Sequence, residues 1–310
     1  MAVTTKTWLG IGCGVLAGAL WGSVFVAPEL VGNFSPLQLA AGRYLVYGAI
    51  SAILLLPRLP LLGPWLTASH WRTLAMLGLL GNVIYYVALA AAVQWGGVAV
   101  TSLVIGFLPV CLTLVGSRDH GAVPLRRLAP SLLLSLVAIG CIAWQSFAAS
   151  GTERPAFERI GGLLCAVIAL ISWTIYAIRN ARWLARLEHV SVHDWNLLTG
   201  VATGAMSLLL VPAALWFDAH AHDTSAWLRF AAVSTGVAVF ASIVGNGLWN
   251  LMSRLLPLTL VGQMILFETL FALLYGFLWE SRWPHPAEWI AMAAVSLSVV
   301  LCVRVHAEST

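Results

Sequence analysis

Apolar runs broken by proline, glycine or charge divide the chain into ten segments, at 8–27, 37–56, 71–93, 98–116 and 128–147, then 160–179, 193–217, 227–251, 258–279 and 287–303. A helix rises 1.5 Å per residue, so about 20 apolar residues cross the roughly 30 Å hydrocarbon core of a bilayer. Each segment is close to that length. Runs this long and unbroken do not read as the alternating, roughly ten-residue strands of a membrane barrel. Backbone groups in lipid must then be satisfied within each segment, which leaves helices. The expected fold class is an all-α integral membrane protein with ten transmembrane helices.

The segments fall into two sets of five. Trp21-Gly22 in the first segment matches Trp173-Thr174 in the sixth, 152 residues later. Ser35-Pro36-Leu37-Gln38 matches Ser191-Val192-His193-Asp194 at an offset of 156, and Gly81-Asn82 with Tyr85 and Tyr86 matches Gly245-Asn246 with Trp249 and Asn250 at 164. The matches occur in order with small drifts. Five is odd, so a second copy enters the membrane from the opposite side. We expect two inverted repeats, residues 1–150 and 151–310, the arrangement that lets two halves of a transporter rock about a central site.

Composition removes the soluble alternatives. Hydrophobic residues make up 60% and charged residues 9%, against about half and a quarter in soluble domains, which leaves no room for a soluble catalytic domain. The net charge of +4 is explained by loop arginines and not by a nucleic-acid surface. With the N-terminus inside, inner loops and ends carry Lys6, Arg58, Arg72, Arg118, Arg126, Arg127, Arg179, Arg182, Arg186, Arg254 and Arg304, whereas outer loops carry only Arg154, Arg159, Arg229 and Arg282. Both termini are therefore expected to be cytoplasmic. Lys6 and the small residues Ala17-Gly18-Ala19 resemble a signal peptide, but the match of segment one with segment six argues for a retained span. Cys13, Cys111, Cys141, Cys165 and Cys302 lie in apolar segments without paired spacing and read as core residues.

Candidate chemistry is sparse. Gly10, Gly14, Gly18 and Gly22 recur every fourth residue and leave one stripe of the first helix bare for close helix approach, either sliding or static. Gly200 and Gly204 repeat the device in helix seven. Asn246 and Asn250 share a helix face with Trp249 alongside, and Asn82 with Tyr85 and Tyr86 is the counterpart. Amides in such places bond either other helices or a substrate. Glu268 is the only acid deep in a span. A carboxylate there costs about 2.5 kcal/mol or more, so it faces protein or water, as a partner for a substrate amine, a proton site or a structural bond. Arg43, inside helix two, reads as a partner of Glu29 snorkelling outward, or as a binder of a substrate carboxylate. Most tryptophans sit near span ends as belt anchors. Trp21, Phe107, Trp173, Tyr176 and Trp249 are deeper and suit the wall of a pocket. Histidines fall in loops or at span ends, and no metal site, hydrolase constellation or phosphate loop is recognisable. No cofactor is expected.

Several stretches carry a resemblance. Leu20-Trp21-Gly22-Ser23-Val24-Phe25, Pro36 followed by Ala40, Ala41 and Arg43, Phe107-Leu108-Pro109, and Gly276-Phe277-Leu278-Trp279-Glu280 resemble the drug/metabolite transporter superfamily in its EamA-type ten-helix form, over nearly the whole chain. The sequence departs from that pattern at Glu268-Thr269, where many relatives have proline after the glutamate, and at Gly116-Ser117-Arg118-Asp119, which lacks a glutamate. The stretch 85–109 is most similar to the YddG-like bacterial amino-acid exporters. That resemblance implies a cavity lined by helices 1, 3, 4, 6, 8 and 9, where amides meet the charged ends of an amino acid and aromatics meet its side chain.

The expected function is thus an inner-membrane transporter, not an enzyme, that exports amino acids, aromatic and others, by alternating access. Its partners are a small-molecule substrate and the lipid bilayer, with oligomeric state left open. The expected contacts are Asn82, Tyr85, Tyr86, Asn246, Trp249, Asn250 and Glu268, with Trp21, Phe107, Trp173 and Tyr176 as wall. Two other readings are weighed beside it. A membrane enzyme acting on lipid-type substrates wants a polar cluster near one interface. A sugar-phosphate or anion exchanger of the same fold wants several basic residues in the cavity, where only Arg43 is available.

Overall fold

The computed structural model describes residues 5–31, 34–119, 122–149, 156–187, 189–217, 222–281 and 283–309. These residues are helical or form turns and connections, with no strand among them. The helices are α1 Thr5–Gly22, α2 Ala27–Leu30, α3 Pro36–Leu55, α4 Leu59–Leu62, α5 Ala68–Gly78, α6 Tyr85–Ile105, α7 Leu108–Gly116, α8 Leu125–Ala149 and α9 Ala156–Arg186. The chain continues with α10 Val192–Phe217, α11 Thr224–Val237, α12 Asn246–Leu255, α13 Leu258–Met264, α14 Leu266–Glu280 and α15 Pro286–Ser309. Two π-helical stretches, π1 Leu79–Ile84 and π2 Ala238–Gly245, join α5 to α6 and α11 to α12.

Seven helices among the described residues are long and apolar enough to cross a membrane: Leu37–Leu62, Ala68–Leu89, Ile160–Arg186, Val192–Trp216, Thr224–Leu255, Leu258–Trp279 and Pro286–Glu308. Of the other expected spans, 8–27 coincides with α1, 98–116 with the end of α6 and α7, and 128–147 with α8. In α1 the apolar surface is diluted by Lys6 and by glycines. The fourth expected span is shared between the end of α6 and α7, with a turn at Gly106 and Phe107. No loop separates the third and fourth expected spans, because α6 continues through Gly96 and Gly97. Glycine weakens a helix but, unlike proline, removes no backbone donor, so the pair does not force a break.

Local signals explain the boundaries. Ser35 caps α3 by accepting from Gln38 N at 3.3 Å while the Gln38 side chain accepts from Ser35 N at 3.0 Å, with proline at the first helical position. Thr67 and His70 do the same for α5. Asp223 accepts from Ala226 N at 2.9 Å to cap α11, and these bonds hold its carboxyl below the usual range.

Packing is organised by small residues. A Cβ on Gly48 of α3 would lie 2.6 Å from Gly204 Cα of α10, so the two backbones touch. The stripe of α1 lies against α12, α13 and α14: Gly10 faces Leu256, Gly14 faces Met252 and Met264, Gly18 faces Phe267 and Glu268, and Gly22 faces Phe271 and Ala272. A buried polar seam ties α8, α13 and α15, where Ser298 Oγ lies 2.6 Å from Ser131 O and 3.0 Å from Gln263 Oε1. At the expected inner edge, Arg58 pairs with buried Asp194 at 2.8 Å, and Arg254 donates to the carbonyls of Leu187 and Val190. Bonds between membrane helices average about 0.6 kcal/mol, so close packing rather than these bonds carries the assembly.

Candidate functional site

Aromatic side chains from four helices converge deep in the molecule. The rings of Trp21 and Trp249 lie 5.1 Å apart, those of Trp173 and Trp249 5.3 Å, and Trp21 meets Trp173 edge-on at 6.4 Å and 84°. Tyr176 lies 5.8 Å and Tyr85 6.3 Å from Trp173. These separations match favourable edge-to-face and tilted pairs. Glycines make the approach possible. A Cβ on Gly81 would lie 2.5 Å from the Tyr176 ring, and one on Gly245 would lie 2.9 Å from Trp21 Nε1. Of the five expected wall residues the structure brings together Trp21, Trp173, Tyr176 and Trp249. Phe107 stands apart, 38% exposed in the turn between α6 and α7.

The two π stretches shape this region. A π turn widens the helix and redirects carbonyls, and such turns recur at functional sites. In π2, Ala241 O accepts from Trp21 Nε1 at 3.0 Å and Ile243 O accepts from Asn196 Nδ2 at 2.9 Å. In π1, Leu80 O accepts from Ser172 Oγ at 2.7 Å. Each π stretch is thus held by a side chain from a distant helix. Trp249 Nε1 is buried without a hydrogen-bond partner among the described residues, an available donor inside the aromatic group.

The charged side of the site is made by Glu268 and Arg43. Glu268 stands in the first turn of α14, just after the chain leaves α13 through Ile265. It is half-buried and makes no hydrogen bond or ion pair among the described residues, while lying within Coulombic range of Arg43 and Tyr85. Arg43 does not snorkel to the interface. Its side chain is 8% exposed, Nε donates to Ser242 Oγ of π2 at 2.9 Å, and the guanidinium stands 5.3 Å from the Tyr44 ring centre and 5.8 Å from that of Tyr86. The reason is that π2 offers a hydroxyl and Tyr44 and Tyr86 offer ring faces inside the protein. The Glu29 side chain, its expected partner, lies outside the described residues.

The asparagines divide. Asn82 Nδ2 donates to Thr203 Oγ1 at 3.0 Å, and Asn250 Oδ1 accepts from Asn180 Nδ2 at 2.7 Å, so both spend groups on neighbouring helices. Asn180 Oδ1 in turn accepts from Trp195 Nε1 at 3.0 Å. Asn246 is half-buried, and the Tyr47 hydroxyl donates to Asn196 O at 2.8 Å. Sequence reasoning missed Tyr47, Asn180, Trp195, Asn196, Thr203 and Ser242. Asn196 gives a usable signal, a polar residue two positions after Asp194 at the start of an apolar run, whereas Ser and Thr are common in membrane helices and give little. A separate apolar cavity of about 510 Å³, lined by Val26, Leu30, Val237, Phe240, Tyr275 and Leu278 among others, contains none of the expected contacts.

Comparison with known proteins bears on this architecture. The chain is 33% identical over 313 residues to the inner membrane protein YtfF of Escherichia coli (strain K12), covering 96% of each. A solved structure, titled only as the crystal structure of a protein, shares the fold with a TM-score of 0.69 at 21% identity, over 97% of this chain and 99% of that one. The model of the EamA-like transporter family matches residues 8–144 and 160–304. A multi-pass inner-membrane protein, a transporter rather than an enzyme, with a small-molecule substrate, is what these matches and the apolar helices support together. Covering both stretches of the chain, and agreeing with the tryptophan-glycine and Pro36-to-Arg43 patterns, the match establishes that this protein belongs to the EamA-like transporter family of the drug/metabolite transporter superfamily.

Proposed function

We propose that the protein is an inner-membrane permease that exports amino acids by alternating access of two inverted five-helix halves, residues 1–150 and 151–310. The observation that carries this reading is the aromatic group of Trp21, Trp173 and Trp249, reached through Tyr85 from the carboxylate of Glu268, which has no partner among the described residues. Aromatic faces suit an apolar or aromatic side chain, and a carboxylate suits an ammonium. Tyr85, Asn246, Trp249 and Glu268 contact the substrate in this reading. Asn82 and Asn250 hold the helices that present them.

Paired irregularities support two halves. The stretch π1, which contains Asn82, has π2, which ends just before Asn246, as its counterpart. The turn between α6 and α7 corresponds to the turn between α13 and α14. Trp21 of α1 binds π2 and Ser172 of α9 binds π1. The family match likewise comes in two stretches. Interrupted helices at a shared depth are the usual surroundings of a transporter's central site, because freed backbone groups are tolerated only where protein or a cavity covers them.

The test is counterflow in proteoliposomes preloaded with single amino acids, aromatic ones included, and scored against a labelled tracer. Exchange by a subset is expected. No exchange of any amino acid by folded protein would remove amino acids as the substrate class. Orientation is tested separately. A reporter fused after Thr310 is expected to read cytoplasmic, and a periplasmic signal would refute the ten-span count or the inward placement of the arginine-rich loops.

A further inference from the structure

We propose that Arg43 and Glu268 form the two charged ends of one binding site for a zwitterion, with the guanidinium taking a carboxylate and Glu268 taking the ammonium of the same molecule. The inference rests on the transport reading above and specifies how that site recognises its substrate. Among the described residues, Arg43 has only its Nε occupied, by Ser242 Oγ at 2.9 Å, and its two Nη nitrogens make no hydrogen bond. Nη nitrogens are the prongs of the fork that matches a carboxylate. Glu268 also lacks a partner, and the two residues sense each other's field without forming an ion pair.

This arrangement is costly when empty. A charge deep in a membrane protein is retained where it pairs or lines a path, and two opposite charges held near but apart leave each other incompletely compensated. Direct pairing would have been the inexpensive solution. The two side chains stand on different supports: Arg43 is bonded to π2 and stands beside the faces of Tyr44 and Tyr86, while Glu268 belongs to the first turn of α14. A zwitterion bound by both residues compensates both ends at once and adds no net charge. A simple amine or a simple acid compensates one end and leaves the other stranded. Tyr85, within Coulombic range of both and 6.3 Å from the Trp173 ring, connects the two charged residues to the aromatic wall.

The experiment compares competition against labelled L-phenylalanine by three probes: L-phenylalanine, L-phenylalaninamide, which lacks the carboxylate, and 3-phenylpropionate, which lacks the amine. In wild-type proteoliposomes each truncated probe is expected to need at least tenfold more material for half-inhibition. In Arg43→Gln, L-phenylalanine is expected to weaken to the level of the amide, the amide changing less than twofold. Arg43→Lys is expected to recover part of the loss. Equal competition by the three probes in wild type overturns the zwitterion site while leaving the transporter standing. Equal weakening of acid and amide by Arg43→Gln also overturns it, since that pattern marks a structural arginine. No uptake of any amino acid overturns this inference and the transport reading together.

Discussion

Replacing Glu268 by glutamine is expected to lower the initial rate of amino-acid exchange at least tenfold while leaving the yield and thermal stability of folded protein unchanged or slightly higher. The two expectations pull apart because the carboxylate makes no hydrogen bond or ion pair among the described residues, so the variant breaks no structural bond. Glutamine has nearly the same shape and removes a charge that costs about 2.5 to 3.5 kcal/mol at the centre of a span. A charge-assisted bond to an ammonium is worth about 1.5 to 3 kcal/mol, which is roughly ten- to a hundredfold in affinity. Initial-rate counterflow and a thermal-shift curve on the same preparation check both sides. Unchanged exchange at every pH tested would remove Glu268 from substrate binding and from proton coupling. A marked loss of stability would instead make it a structural residue with an undetected partner.

How far these features were legible depends on what each residue does. Long apolar runs announce helices because lipid forbids anything else in the absence of a closed barrel. The Gly10 to Gly22 stripe was legible for a similar reason. A bare helix face has one physical use, close approach, and each of its glycines meets a neighbour where a Cβ would collide. The tryptophans separated by depth. Trp8, Trp216, Trp283 and Trp289 are exposed as belt residues, whereas Trp21, Trp173 and Trp249 meet.

The polar residues were harder, since an amide in a span reads alike whether it serves a helix or a substrate. Only the partner decides, and partners such as Thr203 for Asn82 or Asn180 for Asn250 lie 121 and 70 residues away. Arg43 illustrates the same limit. From sequence, the interface was its expected relief; in three dimensions its partner is Ser242, 199 residues on. The π stretches left no trace in the pattern either, because Leu79–Ile84 and Ala238–Gly245 are as apolar as ordinary helix. They arise from how Trp21, Ser172 and Asn196 engage their carbonyls, which is a tertiary matter.

A valine at Gly18 is expected to abolish exchange and to lower the yield of folded protein, whereas a valine at Gly12 on the same helix should do neither. A Cβ on Gly18 would lie 2.6 Å from Phe267 Cβ and 2.9 Å from both Glu268 N and Phe267 C, so it meets backbone that no rotamer change can clear. At Gly12 a Cβ meets nothing within 4 Å. Overpacking of this kind costs about 1 to 3 kcal/mol, and a β-branched side chain has no spare χ1 well into which to retreat. The strain falls on the first turn of α14, the turn that holds Glu268, so positioning and stability are damaged together. Alanine at Gly18 separates them. It adds a single methyl, and its expected signature is a large fall in exchange rate with a small fall in melting temperature, because Glu268 must shift by some tenths of an ångström while most of the α1 contact survives. Full activity in Gly18→Ala would show that α1 and α14 tolerate separation and that the stripe serves only general packing. Equal and proportionate losses of rate and stability would make it a static seam. A disproportionate loss of rate would show that the contact of Gly18 with Phe267 and Glu268 serves the placing of Glu268 and not packing alone.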